Sequence, residues 1–305
     1  MKADPIREEI YAFRALVREK FDQRDFAHLE TLYRDSLASR RRFKSGNYYM
    51  FQFMAPFDDY TRGGQKADLE GIELWKRAFP KSALPWVTES EVWRDYAWEA
   101  RGGGWASEVT EQGWKLFRER LNKAQLALDT AEQLEPPTPN WYENQMIVSV
   151  GLGAPRERLD SLYLGAKRAL PESYAADETR SLYLLPRWMG KPGEWERLAK
   201  ETLKQEGASG LETYARIVAY RSRYYTNIVE ETQISVPLAH AGFRQWMERF
   251  PESKEAVARY CLFAVNAGDR PLAKQLLEKL DGTMDPDIWI TGDYYHKFVT
   301  WLMAQ

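Results

Sequence analysis

An all-α fold is what this sequence predicts, and three observations predict it. Apolar residues recur at steps of three and four along nearly the whole chain, which places them on one face of a helix. Helix starts and stops alternate in order, an acceptor or a proline opening each segment and a glycine or proline closing it. Strand patterns are scarce. Met146 to Val150 and Gln233 to Leu238 are rich in β-branched residues, yet neither has a partner run with hairpin chemistry between, so both are read as helix or loop.

Ile6, Ile10, Phe13 and Val17 step by four, three and four and define an amphipathic first helix. Asp22 and Asp25 open a second, with Phe26, Leu29, Leu32 and Tyr33 inside and the basic run at Arg40 near its end. After the aromatic segment Tyr48 to Tyr60 and the break at Gly63-Gly64, Leu69, Ile72, Trp75 and Phe79 form a third stripe, which Pro80 stops. Thr88 with Glu91, and Ser209 with Glu212, have capping-box spacing. Thr138-Pro139, Ala154-Pro155 and Asp285-Pro286 put proline at the first helical position, and Asp269-Arg270-Pro271 is a near relative. Gly102-Gly103-Gly104, Gly151 with Gly153, Gly190, Gly207 and Gly268 sit between these starts, where helices are capped. The count comes to about a dozen helices joined by short turns.

Three helix ends carry nearly one phrase: Trp75-Lys76-Arg77-Ala78-Phe79-Pro80-Lys81-Ser82, Ala166-Lys167-Arg168-Ala169-Leu170-Pro171-Glu172-Ser173 and Trp246-Met247-Glu248-Arg249-Phe250-Pro251-Glu252-Ser253. In each, basic residues suit the helix C-terminus, an apolar residue closes the core face, proline ends the helix and serine can cap the next. Pro136 and Pro171 stand 35 residues apart, as do Pro251 and Pro286, and each interval holds two helices around a glycine turn. That is close to the tetratricopeptide period. The expected architecture is an all-α, tetratricopeptide-like α-solenoid of antiparallel helix pairs, with a closed helical toroid as the alternative. The organisation read from the chain is one domain over residues 1–305: a less regular part over 1–105, then helix-pair repeats over 106–305.

Composition narrows the function classes. With 44% hydrophobic and 29% charged residues the chain is globular rather than disordered, and Lys plus Arg at 43 against Asp plus Glu at 45 gives a net charge of −2, which advertises no polyanionic partner. Nucleic acid and membrane are therefore not expected as partners; no apolar run approaches the ~20 residues that span a bilayer. A single cysteine, Cys261, in an apolar helical stretch, reads as a small buried thiol and points to a reducing cytoplasm. The N-terminus lacks a signal-peptide core, and a periplasmic origin stays open if a leader was removed.

No cofactor or metal is expected, because His28, His240 and His296 are isolated in sequence and no Gly-x-Ser-x-Gly elbow occurs. Gly102-Gly103-Gly104, ahead of a helix expected near Ser107, lacks the phosphate-loop ending and reads as a tight turn. Arg40-Arg41-Arg42 with Lys44, near Tyr48 and Tyr49, reads as a solvated helix end. Of the carboxylates, Asp58-Asp59 are adjacent, while Glu91, Asp95 and Glu99 step by four along one helix face, suiting solvent or a basic partner. Twelve tryptophans are the compositional excess, and Trp86, Trp93, Trp98 and Trp105 are candidates for stacking on sugars in a glycoside-active toroid with two opposed carboxylates. The competing account is core filling between helices. Arg101 and Arg187, each within four residues of a tryptophan (Trp105 and Trp188 among them), offer either a carboxylate- or peptide-binding groove or a clamp on turn carbonyls.

The stretch Tyr96-Ala97-Trp98-Glu99-Ala100-Arg101-Gly102-Gly103-Gly104-Trp105, followed by Trp114, Phe117, Leu121 and Ala124 and later by Leu184-Leu185-Pro186-Arg187-Trp188-Met189-Gly190, resembles an uncharacterised bacterial family of helical domains. Tyr214-Ala215-Arg216-Ile217 fits the same pattern, so the resemblance spans Trp93 to Ile217. It implies a tetratricopeptide-like fold and no established activity. The functional expectation is thus a non-catalytic scaffold that binds a protein or peptide in an adaptor, chaperone-like or toxin-immunity role, with Arg101, Trp105, Arg187, Trp188, Glu91, Asp95 and Glu99 as candidate contacts.

Overall fold

The computed structural model describes residues 2–57, 64–204, 209–289 and 292–304. Asp58, Asp59, Gly63 and Gly207 lie outside them, as does the side chain of Ser209. Every named element among the described residues is helical: α1 (Pro5–Asp22), α2 (Phe26–Ser39), α3 (Tyr49–Met54), α4 (Gln65–Ala78), α5 (Leu84–Arg101), α6 (Glu111–Leu134), α7 (Pro139–Gly151) and α8 (Arg156–Ala169). There follow α9 (Ala175–Tyr183), α10 (Glu194–Glu201), α11 (Ser209–Arg221), α12 (Ile228–Glu231), α13 (Val236–Arg249), α14 (Lys254–Asn266), α15 (Arg270–Leu280), α16 (Pro286–Trp289) and α17 (Gly292–Met303).

The chain divides into two compact units, one of Tyr11–Arg41 with Tyr48–Ala176, the other of the residues up to Ile10, Arg42–Asn47 and everything from Asp177. The boundary expected at residue 105 falls inside the most extensive helix pairing of the molecule, that of α5 with α6. A glycine turn there folds the chain back without parting the core.

In the α2–α8 unit, α5 packs against α4, α6 and α7. Trp75 is wholly buried, stacks on Phe26 with ring centroids 5.6 Å apart, and donates Nε1–H to buried Glu30 at 3.0 Å. In the α10–α17 unit, α11 packs on α13, and α14 pairs with α15. Trp246 takes the place of Trp75 there, fully buried under the Arg216 guanidinium at 3.8 Å. Two of the repeated phrases thus use their tryptophan as helix-to-helix packing.

All three phrases form one turn. Phe79, Leu170 and Phe250 leave the helix at closely similar dihedrals and donate N–H to the carbonyls of Trp75, Ala166 and Trp246. Three residues on, the N–H of Ser82, Ser173 and Ser253 bonds back to those same three capping residues, each at 3.0 Å. The serine hydroxyls then accept from Leu84, Ala175 and Ala256, each at 3.2 Å.

The two proline intervals match as well. Thr138 and Ser253 cap α7 and α14 through the N–H three residues on, and both helices are 13 residues long. Each ends in a left-handed glycine, Gly153 at φ +74° and Gly268 at φ +73°. A bond from the following N–H reaches back five residues in each, Ala154 to Ser149 and Asp269 to Ala264, both at 2.9 Å. Such a turn needs positive φ at one residue, which glycine takes without strain.

Three helix starts differ from expectation. Thr88 lies inside α5, where its hydroxyl bonds back to the Leu84 carbonyl at 2.9 Å; the cap belongs to the upstream Ser82 turn. Pro155 is the residue before α8, since ψ 155° leaves it extended after the Gly153 turn. The helix expected near Ser107 starts at Glu111, because Thr110 supplies the acceptor for Gly113 N–H at 3.0 Å, and residues 106–108 form only a short 3-10 turn.

Candidate functional site

The acidic row on α5 does not face water. Glu91 and Asp95 are each 5% exposed, and only Glu99 is open, accepting from Gln65 at 3.2 Å. Because α5 is covered by α4, α6 and α7, the spacing of four directs two carboxylates inward. The basic partner of Glu91 is internal: Arg94 lies 2.6 Å away and also donates to Asn144 on α7 at 3.0 Å. Nearby in this polar seam, Tyr33 donates to Asn140 Oδ1 at 3.0 Å and its hydroxyl oxygen lies 3.1 Å from the Thr138 hydroxyl. Burial, aided by the Glu91 and Glu135 charges, pushes the Tyr33 phenol well above its ordinary range. The Glu91–Arg94 pair and the Tyr33 bonds tie α2, α5 and α7 together, which gives this part of the seam a structural character.

Arg101 clamps its turn. Its Nη1 donates to the carbonyls of Gly102 at 3.0 Å and Gly104 at 3.1 Å, and its guanidinium lies over Trp98 and Trp114 at 5.5 and 5.4 Å. Trp105 beside it is 64% exposed, and its N–H donates to Glu108 at 2.7 Å. Of the other candidate stacking tryptophans, Trp86 carries Lys76 over its ring at 3.7 Å, Trp93 carries Lys123 at 4.1 Å, and Trp98 meets Phe117 edge-on at 4.9 Å. Their rings serve cation–π and packing contacts within the unit. Arg41 covers Tyr49 at 4.3 Å and Lys44 pairs with Glu252 at 2.9 Å, so the basic run is engaged locally.

Arg187 and Trp188 belong to the α10–α17 unit, and the Arg101 group belongs to the α2–α8 unit. Arg187 is exposed, with its guanidinium 5.4 Å from the Tyr224 ring, and Trp188 meets Tyr183 edge-on at 6.2 Å. Tyr214, Ala215, Arg216 and Ile217 are fully buried; Arg216 pairs with Glu212 at 2.8 Å, so this segment fills the core.

Cys261 is buried, donates to the Ala273 carbonyl at 3.3 Å, and has its thiol pushed up to about 12 by burial. His240 sits 3.0 Å from the Tyr260 hydroxyl, and burial holds its imidazole below the ordinary range. Among the described residues no three His, Cys, Asp or Glu side chains group to hold a metal ion, and no helix is long and apolar enough to cross a membrane.

One concavity is not singled out by the sequence. A groove of about 1160 Å³ runs over α13, α14 and α15, closed at one side by the start of α1. Ile6, Met247, Val257, Leu272 and Leu276 form its apolar lining, while Arg244, Glu248, Lys254, Asp269 and Lys279 supply charge of both signs. Tyr260, between His240 and the groove, adds a ring with a polar tip. Individual residues of this lining fall on helical stripes, but their convergence depends on how three helices pack.

Residues 12–167, slightly over half of the chain, match the family described as a domain of unknown function (DUF4034), and the chain belongs to that family. The match begins well before Trp93, the first residue of the sequence resemblance, and ends before the Leu184–Gly190 and Tyr214–Ile217 segments. No curated protein and no solved structure matches the chain.

Proposed function

We propose that this member of the DUF4034 family is a non-catalytic binding scaffold of bacterial type, tetratricopeptide-like in fold, whose groove over α13, α14 and α15 receives a peptide segment of a protein partner. The groove itself carries the reading. At about 1160 Å³ it exceeds the size of most small-molecule pockets, and both apolar and charged side chains line it. Such a groove suits side chains at i, i+3 and i+4 of a helix, or alternate side chains of an extended segment. The repeat reading draws support from the like-capped hairpins α7–α8 and α14–α15 and from the 35-residue proline spacing, near the ~34 of tetratricopeptides. Adaptor, chaperone-like and toxin-immunity roles are all forms of this binding, and one buried free thiol is compatible with a cytoplasmic setting.

The test is selection of binding peptides from a display library on the full chain, followed by affinity measurement on Met247→Arg and Leu272→Arg, which put charge into the groove lining. The reading expects a tenfold or greater loss for each, with circular dichroism unchanged. Selected peptides that bind both variants as tightly as the parent would refute it.

A further inference from the structure

Three arginines gather around one tyrosine in the α10–α17 unit. The guanidinium carbons of Arg187, Arg221 and Arg223 lie 5.4, 5.6 and 5.8 Å from the centre of the Tyr224 ring. Local structure explains how they meet. α11 ends at Arg221, and a 3-10 turn over Ser222–Tyr224, with Ser222 Oγ bonded to the Ala219 carbonyl at 2.6 Å, brings Arg223 and Tyr224 out toward solvent. Arg187 comes from the turn after α9. There the Gly190 N–H bonds to Leu185, and a Cβ on Gly190 would lie 1.8 Å from the Leu184 carbonyl oxygen, so glycine alone permits this close return.

The charge balance of the cluster is uneven. Arg221 is 3% exposed, and its Nε and Nη1 are buried with no hydrogen-bond partner among the described residues. Its nearest carboxylate, Glu178, stands 3.9 Å from Nη2, at the outer limit of an ion pair. Burial lowers the pKa of Arg221 and raises that of Glu178, so the acid nearest Arg221 is itself a reluctant anion. Cation–π attraction to Tyr224 is weak beside the cost of a buried guanidinium lacking a close counter-charge, and the charge of Arg223 adds repulsion on Arg221. An anion at this place would relieve both.

We propose that Arg187 and Arg223, the two exposed members, hold a phosphate group beside Tyr224, with buried Arg221 adding its charge from beneath. Phosphate fits better than a carboxylate. Its two charges offset more of the cluster, and its tetrahedral oxygens accept from guanidinium groups arriving from different directions, whereas a carboxylate is satisfied by one guanidinium fork. The ligand is inorganic phosphate or a phosphate monoester. The site shares no residue with the groove assigned above.

Isothermal titration of the full chain with inorganic phosphate and, separately, O-phosphoserine in a low-salt, phosphate-free buffer tests the assignment. Saturable binding is expected, weakened at least tenfold by Arg187→Ala and by Arg223→Ala and unchanged by Arg158→Ala on α8. Both substitutions are at exposed positions, and thermal unfolding of each variant checks that the fold persists. Binding of both probes identifies a monoester site, and binding of inorganic phosphate alone identifies a free-phosphate site; either supports the proposal. No saturable binding of either probe, or binding that survives both Arg→Ala changes, overturns it.

Discussion

Replacing each serine of the three repeated turns by alanine isolates what the turn contributes. Ser82, Ser173 and Ser253 are 4%, 3% and 1% exposed, and each hydroxyl accepts one backbone N–H at 3.2 Å. Losing that acceptor at a helix start costs about 1 kcal/mol. Ser82 has a second bond, donating to Glu30 at 2.9 Å, and Glu30 also receives the Trp75 indole. A hydrogen bond to a charged group adds about 1.5–3 kcal/mol. Ser82→Ala should therefore cost about 3 kcal/mol, and Ser173→Ala about 1 kcal/mol in the same unit. Urea unfolding followed by tryptophan fluorescence measures both, and Ser253→Ala should match Ser173→Ala. Equal costs for Ser82→Ala and Ser173→Ala would show that the Glu30 bond contributes nothing, and no cost for Ser173→Ala would refute the capping argument.

Other consequences follow from single sites. A Cβ at Gly242 on α13 would lie 2.2 Å from the Leu211 carbonyl oxygen of α11, so Gly242→Ala should cost about 3 kcal/mol in urea. Gly268→Ala meets no atom within 4 Å and bears only left-handed strain, about 1 kcal/mol by the same assay. Cys261 should resist a thiol reagent such as dithionitrobenzoate at pH 8 in the folded chain and react in urea; prompt reaction in the folded state would contradict its burial. Tyr33 has a raised folded pKa, so its contribution is fully present below its ordinary value of 10.0 and is lost as pH rises above it. Alkaline unfolding should begin near there and be shallower in Tyr33→Phe, as followed by circular dichroism against pH.

Much of the fold was legible because helical spacing and cap chemistry are local. Trp75 and Trp246 could be assigned to packing from their place in a repeated phrase, and Asp25, Thr138 and Asp269 cap the helices they were expected to open. Thr88 misled because the capping-box spacing is met inside a helix whose true start is set four residues earlier by the Ser82 turn. For the site the limits were of another kind. A step of four puts Glu91 and Asp95 on one face but cannot say which helix covers that face. Arg187 was visible beside Trp188, whereas its partners Arg221, Arg223 and Tyr224 are more than thirty residues away, joined only by the fold. The groove depends on the crossing of α13, α14 and α15, which no single periodicity encodes.

Amide hydrogen exchange of the full chain, with and without a display-selected peptide, tests the central claim most directly. Binding in the groove predicts added protection along Met247–Pro251 and Pro271–Leu276 together with Val257–Tyr260, and little change around Arg101–Trp105. Protection confined to the α2–α8 unit, with the groove helices exchanging as before, would contradict it.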